Sequence, residues 1–157
     1  MGDHASSGAS SVGFEEVKSI LPEQSGTSPS VKILVLDDEP TILVLLARIL
    51  EREGYEVLTA ATGNAALAAL ASHREGVALL VVDVKLPDMS GREFVHHAAA
   101  RFGDRPILYV SGVDQRGRGD TLHQDAVFLP KPFDSAELMS RVRTLLGSHN
   151  QSSQPDK

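Results

Sequence analysis

The chain has 157 residues, a formal net charge of −6 and no cysteine, and only 4% of its residues are aromatic. The length suits one domain with extra residues at its ends, and the lack of cysteine excludes disulfide bonds and thiolate chemistry. The acidic balance argues against direct binding of nucleic acid, because phosphate backbones attract basic surfaces. No apolar run reaches the roughly 20 residues of a membrane span and no signal peptide is recognisable, so we expect a cytoplasmic protein without membrane insertion.

Both ends of the chain have the composition of flexible segments. Residues 1–30 are rich in serine, glycine, threonine and proline, which predicts an N-terminal tail or linker. Residues 148–157, with the sequence SHNQSSQPDK, are polar and predict a flexible C-terminal tail. The region between them, residues 31–147, is therefore the predicted domain.

The first half of this domain alternates strand-like and helix-like segments. A continuous apolar run, VKILVL at residues 31–36, predicts a buried strand. Apolar residues at helical spacing then predict a helix that begins at Pro40 and ends at Gly54. A second strand is predicted at residues 55–60, and a helix rich in alanine and leucine at residues 63–74.

The second half continues this alternation. VALLVVD at residues 77–83 is the most apolar run and predicts a central strand. The pattern next predicts a turn, a helix and two strands, at residues 86–91, 91–102, 106–112 and 126–130. A last helix is predicted at residues 134–147, with Asp134 as N-cap, Glu137 as its capping-box partner and Gly147 beyond its end.

Five alternations of strand and helix predict an α/β fold built on a doubly wound, five-stranded parallel sheet. Right-handed crossovers favour the flavodoxin-like strand order 2-1-3-4-5. The fourth helix is expected within residues 114–125, where two glycines cost about 1 kcal/mol each relative to alanine. We therefore predict that this helix is short or irregular.

Polar residues follow four of the predicted strands at their carboxyl ends. Asp37 and Asp38 follow the first strand, Asp83 ends the third, Ser111 lies at the end of the fourth, and Lys131 follows the fifth. Ligands of doubly wound sheets bind outside the carboxyl ends of the strands, where the strand order reverses. These side chains are therefore predicted to line one pocket.

Each of these residues also has a simpler interpretation. Asp38 and Glu39 are suited to the start of the first helix, where the helix dipole favours negative charge. Asp83 is compatible with a turn, Ser111 with a local hydroxyl contact and Lys131 with a solvated surface. The joint occurrence at four strand ends favours the pocket, and Glu39 is assigned to the helix start alone.

Electrostatic repulsion in such a pocket predicts a cation. Neighbouring strands lie about 4.8 Å apart, and two carboxylates at roughly 5 Å repel by about 3 kcal/mol at an effective dielectric constant of about 20. Carboxylate ligands in a site that leaves room for water favour Mg²⁺. The same arrangement suits an incoming phosphoryl group, for which a carboxylate can act as nucleophile.

The motifs ILVLDDEP, VVDVKLPDMSG, ILYVSG and FLPKPF, in this order and spacing, resemble the receiver domain of two-component response regulators (the CheY-like superfamily). The resemblance covers about residues 31–147. It implies that Asp83 is the phosphoacceptor, and that Asp37, Asp38, Asp83 and the backbone carbonyl of Lys85 hold Mg²⁺.

The resemblance also implies the parts of a switch. Ser111 matches the switch hydroxyl, Lys131 the lysine that contacts the phosphoryl group, and Phe128 the switch aromatic. Lys131-Pro132 matches a peptide bond that is cis in the family. Lys85 and Val113 occupy positions that tune autodephosphorylation, and we expect Val113 to prolong the phosphorylated state.

The implied partners are a histidine kinase or histidine phosphotransfer protein as phosphoryl donor, and an output protein that the sequence does not identify. The chain is compatible with a stand-alone regulator and with the receiver of a hybrid kinase. Self-phosphorylation and autodephosphorylation are the only chemistry expected. The alternative is an Mg²⁺-dependent phosphatase with an aspartate nucleophile, but such enzymes carry a DxD pattern on the first strand, whereas Asp37 and Asp38 are adjacent.

Overall fold

The computed structural model describes residues 30–73, 76–112 and 126–152. Its strands are β1 (Lys32–Leu36), β2 (Glu56–Ala60), β3 (Val77–Asp83), β4 (Ile107–Ser111) and β5 (Ala126–Pro130). Its helices are α1 (Pro40–Arg52), α2 (Gly63–Ser72), α3 (Gly91–Phe102) and α4 (Ser135–Ser152). The segment of the predicted fourth helix, residues 114–125, lies outside the described residues, as do Val113 and the predicted tail up to residue 29.

The five strands form one parallel sheet in the order β2-β1-β3-β4-β5, which confirms the predicted flavodoxin-like topology. The two central strands, β1 and β3, are neighbours, and the chain order reverses between them. Their register pairs Leu36 with Val82, one residue before Asp37 and Asp83 respectively. The two aspartates are therefore brought to the same edge by the backbone pairing itself.

Helices cover both faces of the sheet and divide the core in two. Because side chains alternate along a strand, successive residues of β1 and β3 point to opposite faces. The cluster with α2 and α3 contains, among others, Leu34, Leu36, Leu70, Leu80 and Phe94. The cluster with α1 and α4 contains Ile33, Val35, Leu46, Leu138 and Val142. This two-sided burial explains why the central strands are continuous apolar runs.

The helix starts follow the capping chemistry of the sequence. Thr62 Oγ1 accepts a hydrogen bond from Ala65 N at 3.0 Å at the start of α2. At the start of α4, Asp134 Oδ1 accepts from Glu137 N at 2.8 Å, while Glu137 Oε2 accepts from Asp134 N at 3.2 Å. The predicted capping box is thus confirmed.

Among the described helices, none combines the length and the apolar character that a membrane crossing requires.

The helix ends agree with the sequence at α1 and disagree at α4. Gly54, after α1, has a φ of +97°, a conformation that glycine adopts readily. The prediction that the last helix ends before Gly147 was wrong, because α4 continues to Ser152. Gly147 does not take a positive φ, and Leu145, two residues earlier, is buried. The helix continues through this position despite a cost of about 1 kcal/mol for a helical glycine.

We predict that Gly147→Ala stabilises the protein by about 0.8–1 kcal/mol, because alanine restricts the unfolded chain and favours the helix. A Cβ at this position meets no atom within 4 Å. Urea unfolding would measure the change. Gly54→Ala is the matched control, since it also meets open space but must adopt a positive φ, and it should destabilise the protein. No gain for Gly147→Ala would contradict a helix that continues through this residue.

Candidate functional site

The carboxyl edge of the sheet brings together charged side chains from three separate strand ends. Lys131, which follows β5, places Nζ 2.9 Å from Asp37 Oδ2 and 3.4 Å from Asp83 Oδ2. Asp37 is only 1% exposed and Asp83 7%. An ammonium from the edge strand therefore bridges two buried carboxylates from the central strands.

A third carboxylate, that of Glu39, belongs to the same cluster. Its Oε1 lies 3.5 Å from Lys131 Nζ. One carboxylate oxygen from each of Asp37, Glu39 and Asp83 lies within 4.8 Å of the others. Asp38, by contrast, is exposed and lies outside this set. The sequence assigned Glu39 to the helix start alone, and its contribution to the pocket was missed.

The local backbone explains how Glu39 reaches the pocket. Asp37 Oδ1 accepts a hydrogen bond from Glu39 N at 2.9 Å, which turns the chain immediately after β1. Glu39 is the N-cap residue of α1, but its side chain makes no capping hydrogen bond. Instead of capping the helix, the Glu39 side chain extends to Lys131. The three consecutive acids of the sequence gave no signal that separates Asp38 from Glu39, because both were suited to a helix start.

Ser111 and Lys131 are neighbours through the backbone. Ser111 ends β4, is 4% exposed, and its carbonyl accepts a hydrogen bond from Lys131 N at 2.9 Å. The Lys131-Pro132 bond is cis, as the resemblance implied. Lys131 is thus attached to β4 by its main chain and to the central acids by its side chain.

Phe128 lies three residues before Lys131, in the middle of β5. Its ring stacks on Tyr109 of β4, with the ring centroids 5.3 Å apart and an angle of 26° between the planes. Arg141 of α4 donates a hydrogen bond to the Phe128 carbonyl at 2.9 Å. Tyr109 is buried, and burial raises the pKa of its hydroxyl to about 12 although the charge of Arg92 opposes the shift. The aromatic pair lies on β4, which ends at Ser111, and on β5, which ends just before Lys131.

Lys85 lies in the loop between β3 and α3. Its side chain is exposed, and its backbone N–H donates to Asp83 Oδ1 at 3.2 Å. A backbone bridge joins Lys85 to Ser90. The structure therefore places the main chain of Lys85 next to the Asp83 carboxylate, where its carbonyl was predicted to act.

Burial is the largest influence on the charge of Asp83. It raises the pKa of this carboxyl, the negative charge of Asp37 raises it further, and Lys131 and the Lys85 N–H oppose the shift. Burial alone would lower the pKa of Lys131, but the hydrogen bond to Asp37 and the charges of Asp83 and Asp37 outweigh it and raise the pKa. Lys131 is therefore an ammonium at neutral pH.

The donor set of the cluster fits a hard divalent cation. Three carboxylates and one ammonium leave a formal charge of −2, since three negative charges meet one positive charge. All the candidate side-chain ligands are oxygens, which Mg²⁺ prefers. The pKa of Asp83 is raised by burial first and by the charge of Asp37 second, so Lys131 does not offset the two effects together. The residues present are thus compatible with a bound Mg²⁺.

We predict that Asp83→Asn stabilises the metal-free protein at neutral pH, which would be measured as a higher Tm. When folding raises the pKa of a carboxyl group, the neutral form of that group favours the folded state. This contribution is fully present when the pH is below the ordinary pKa of 3.8. That contribution is lost as the pH rises through the raised pKa, and asparagine retains it.

Thermal unfolding in a chelator at several pH values would test this prediction. The difference between wild type and Asp83→Asn should shrink as the pH is lowered from 7 to about 4.5. Glu51→Gln, a substitution of an exposed acid on α1, is the control. A difference that does not change with pH would contradict the electrostatic explanation.

Comparison with known proteins identifies this architecture. The family model of the response regulator receiver domain matches residues 33–143. The protein named "Probable transcriptional regulatory protein TcrX" from Mycobacterium tuberculosis is 36% identical over 119 residues, which cover 74% of this chain and 50% of the relative. The chain thus spans about half the length of that relative.

Solved structures agree with the sequence match. A CheY-like response regulator receiver domain protein from Methanospirillum hungatei is 30% identical, with a TM-score of 0.71, over 80% of this chain and 100% of that one. The receiver domain from the hybrid histidine kinase CckA is 33% identical, with a TM-score of 0.64, over 73% of this chain and 98% of that one. The chain therefore belongs to the family of response regulator receiver domains of two-component signalling.

Proposed function

We propose that this receiver domain is switched by phosphorylation of Asp83, with a phosphohistidine of a histidine kinase or histidine phosphotransfer protein as the donor. The observation that carries the proposal is the buried Asp83 carboxylate 3.4 Å from Lys131 Nζ, at the edge where the sheet order reverses. Burial, two further carboxylates and one ammonium make this position unlike a surface aspartate.

The chain's own residues supply the positions for an in-line transfer. A carboxylate oxygen of Asp83 forms the new bond to phosphorus while the phosphorus–nitrogen bond of the donor breaks, and the electron pair stays on the imidazole, which takes a proton from water. Phosphoryl transfer passes through a loose transition state, so positioning and charge neutralisation supply most of the catalysis. The ammonium of Lys131 lies where it can contact a phosphoryl oxygen on Asp83.

Mg²⁺ is part of this proposal. The residues that would hold it are Asp37, Asp38, Asp83 and the backbone carbonyl of Lys85, as the resemblance implies, with Glu39 as a further candidate because of its place in the cluster. A bound Mg²⁺ would offset the carboxylate charge and orient phosphoryl oxygens.

The proposed switch passes from Ser111 to the surface around β4 and β5. Ser111 would turn towards a phosphoryl group on Asp83, and Phe128 would rotate into the space that opens. Two contacts support this route. Lys131 N donates a hydrogen bond to Ser111 O, and Phe128 stacks on Tyr109. Lys85 and Val113 remain proposed tuning positions for autodephosphorylation.

The proposed partners follow from the family. A histidine kinase or phosphotransfer protein supplies the phosphoryl group, and the output protein binds the face that the switch alters. The phosphatase alternative requires repeated turnover of a phosphate ester, and we expect none with a chromogenic substrate.

We predict that wild-type protein gains the mass of one phosphoryl group on incubation with acetyl phosphate and Mg²⁺, as measured by intact mass spectrometry. Asp83→Asn removes the nucleophile and should gain none. Asp104→Asn, which changes an exposed aspartate at the opposite end of the strands, should be labelled like wild type. Labelling that persists in Asp83→Asn, or a wild type that takes no label, would contradict the proposal.

A second prediction concerns the aromatic pair. The chain has two tyrosines and no tryptophan, so Tyr55→Phe leaves Tyr109 as the sole tyrosine fluorophore. We expect beryllofluoride with Mg²⁺ to change the Tyr109 emission in this variant, because movement of Phe128 would remove its stacking partner. The change should be absent when Asp83→Asn is added. Emission that is unaffected by beryllofluoride would argue against a switch through Phe128.

A further inference from the structure

The loop after Asp83, residues 84–90, is closed by its own backbone. Gly91 N donates to Val84 O at 2.7 Å, and Lys85 is bridged to Ser90. Gly91 also packs tightly on the end of β3, since a Cβ there would lie 2.2 Å from Asp83 O. These contacts close a short loop directly after Asp83, and they hold the main chain of Lys85 within that loop.

The tip of this loop is fixed to a different element, the start of α2. Asp88 Oδ1 accepts a hydrogen bond from Gly63 N at 2.9 Å, and Asp88 Oδ2 accepts from Asn64 N at 2.9 Å. These are two of the first N–H groups of the helix, which have no partner within it. Met89 packs against the same turn, because a Cβ on Gly63 would lie 2.5 Å from its Sδ.

The geometry points to Asp88 as a positioning residue that sets the affinity of the site for its divalent cation, by fixing the loop that carries Lys85 beside Asp83. This inference rests on the proposed function, because the Lys85 carbonyl and the Asp83 carboxylate are proposed ligands. Asp88 itself lies at the loop tip and contacts α2.

A merely structural role for Asp88 would be to cap α2. That role is already shared by Thr62, whose Oγ1 accepts from Ala65 N at 3.0 Å. The two residues cap the same helix turn, but Thr62 belongs to the connection before α2, whereas Asp88 belongs to the loop after Asp83. Comparison of Asp88→Ala with Thr62→Ala therefore separates helix capping from loop positioning.

The experiment measures Mn²⁺ affinity by electron paramagnetic resonance of the free ion. Partners that orient metal ligands typically contribute 10- to 100-fold to affinity, and Asp88 acts one step further away, so Asp88→Ala should raise the Kd by about 3- to 10-fold. Asp88→Asn should be intermediate, since its amide offers one acceptor oxygen for two N–H groups. Thr62→Ala should leave the Kd unchanged.

A second readout uses labelling by acetyl phosphate. In Asp88→Ala the Mg²⁺ concentration for half-maximal labelling rate should rise in the same proportion as the Mn²⁺ Kd, while the rate at saturating Mg²⁺ recovers towards wild type. Thermal unfolding of each variant would establish that the fold is retained, and Asp88→Asn, which keeps part of the cap, serves if Asp88→Ala does not fold.

The possible results distinguish this inference from the proposed function. An unchanged Kd in Asp88→Ala, or an equal shift in Thr62→Ala, would overturn the positioning role even if wild type is labelled at Asp83. A wild type that binds Mn²⁺ but takes no label would overturn the proposed function, while the Kd comparison still decides the role of Asp88. Failure of wild type to bind Mn²⁺ would overturn both.

Discussion

The interaction on which the site depends is the contact of one ammonium with carboxylates from three positions. Lys131 Nζ lies within 3.5 Å of oxygens of Asp37, Glu39 and Asp83. Without this cation the two buried aspartates would repel each other across neighbouring strands, in surroundings where charge is poorly solvated. The pKa of Asp83 is still raised, first by burial and then by the charge of Asp37, so the ammonium does not cancel both effects. A divalent cation that binds these carboxylates would therefore stabilise the protein, because binding to the folded state alone shifts the unfolding equilibrium.

The sheet makes this arrangement possible by its order. Placing β1 and β3 side by side brings Asp37 and Asp83 to the same edge, and placing β5 beyond β4 leaves room for the side chain of Lys131 to reach back across Ser111. The two-sided hydrophobic core fixes these strands, while the polar residues lie only where the strands end. The same helices that cover the faces also anchor the connecting loops, as α2 does for the loop that contains Asp88.

Much of this could be predicted because each strand is a local apolar run and the topology of doubly wound sheets follows few rules. Asp37, Asp38, Asp83, Ser111 and Lys131 were predicted to share a pocket from their strand-end positions alone. Asp38 departs from this prediction, because it is exposed and lies outside the carboxylate cluster. The positions of Glu39 and Asp88 could not be predicted, because their contacts are distant in sequence. Glu39 contacts a residue 92 positions away, and Asp88 accepts hydrogen bonds from residues 25 and 24 positions away. The end of α4 was mispredicted because glycine is only a local signal of a helix end, and α4 continues through Gly147 to Ser152.

The double attachment of Lys131 has a consequence for how the site communicates with the edge of the sheet. Its backbone N–H donates a hydrogen bond to the carbonyl of Ser111 at the end of β4, and its side chain forms an ion pair with Asp37. Among the described strands, β5 pairs with β4 alone, so this hydrogen bond lies at the end of an edge strand. We therefore expect a change of charge at Asp83 to alter how often β5 opens locally, which amide hydrogen exchange would measure.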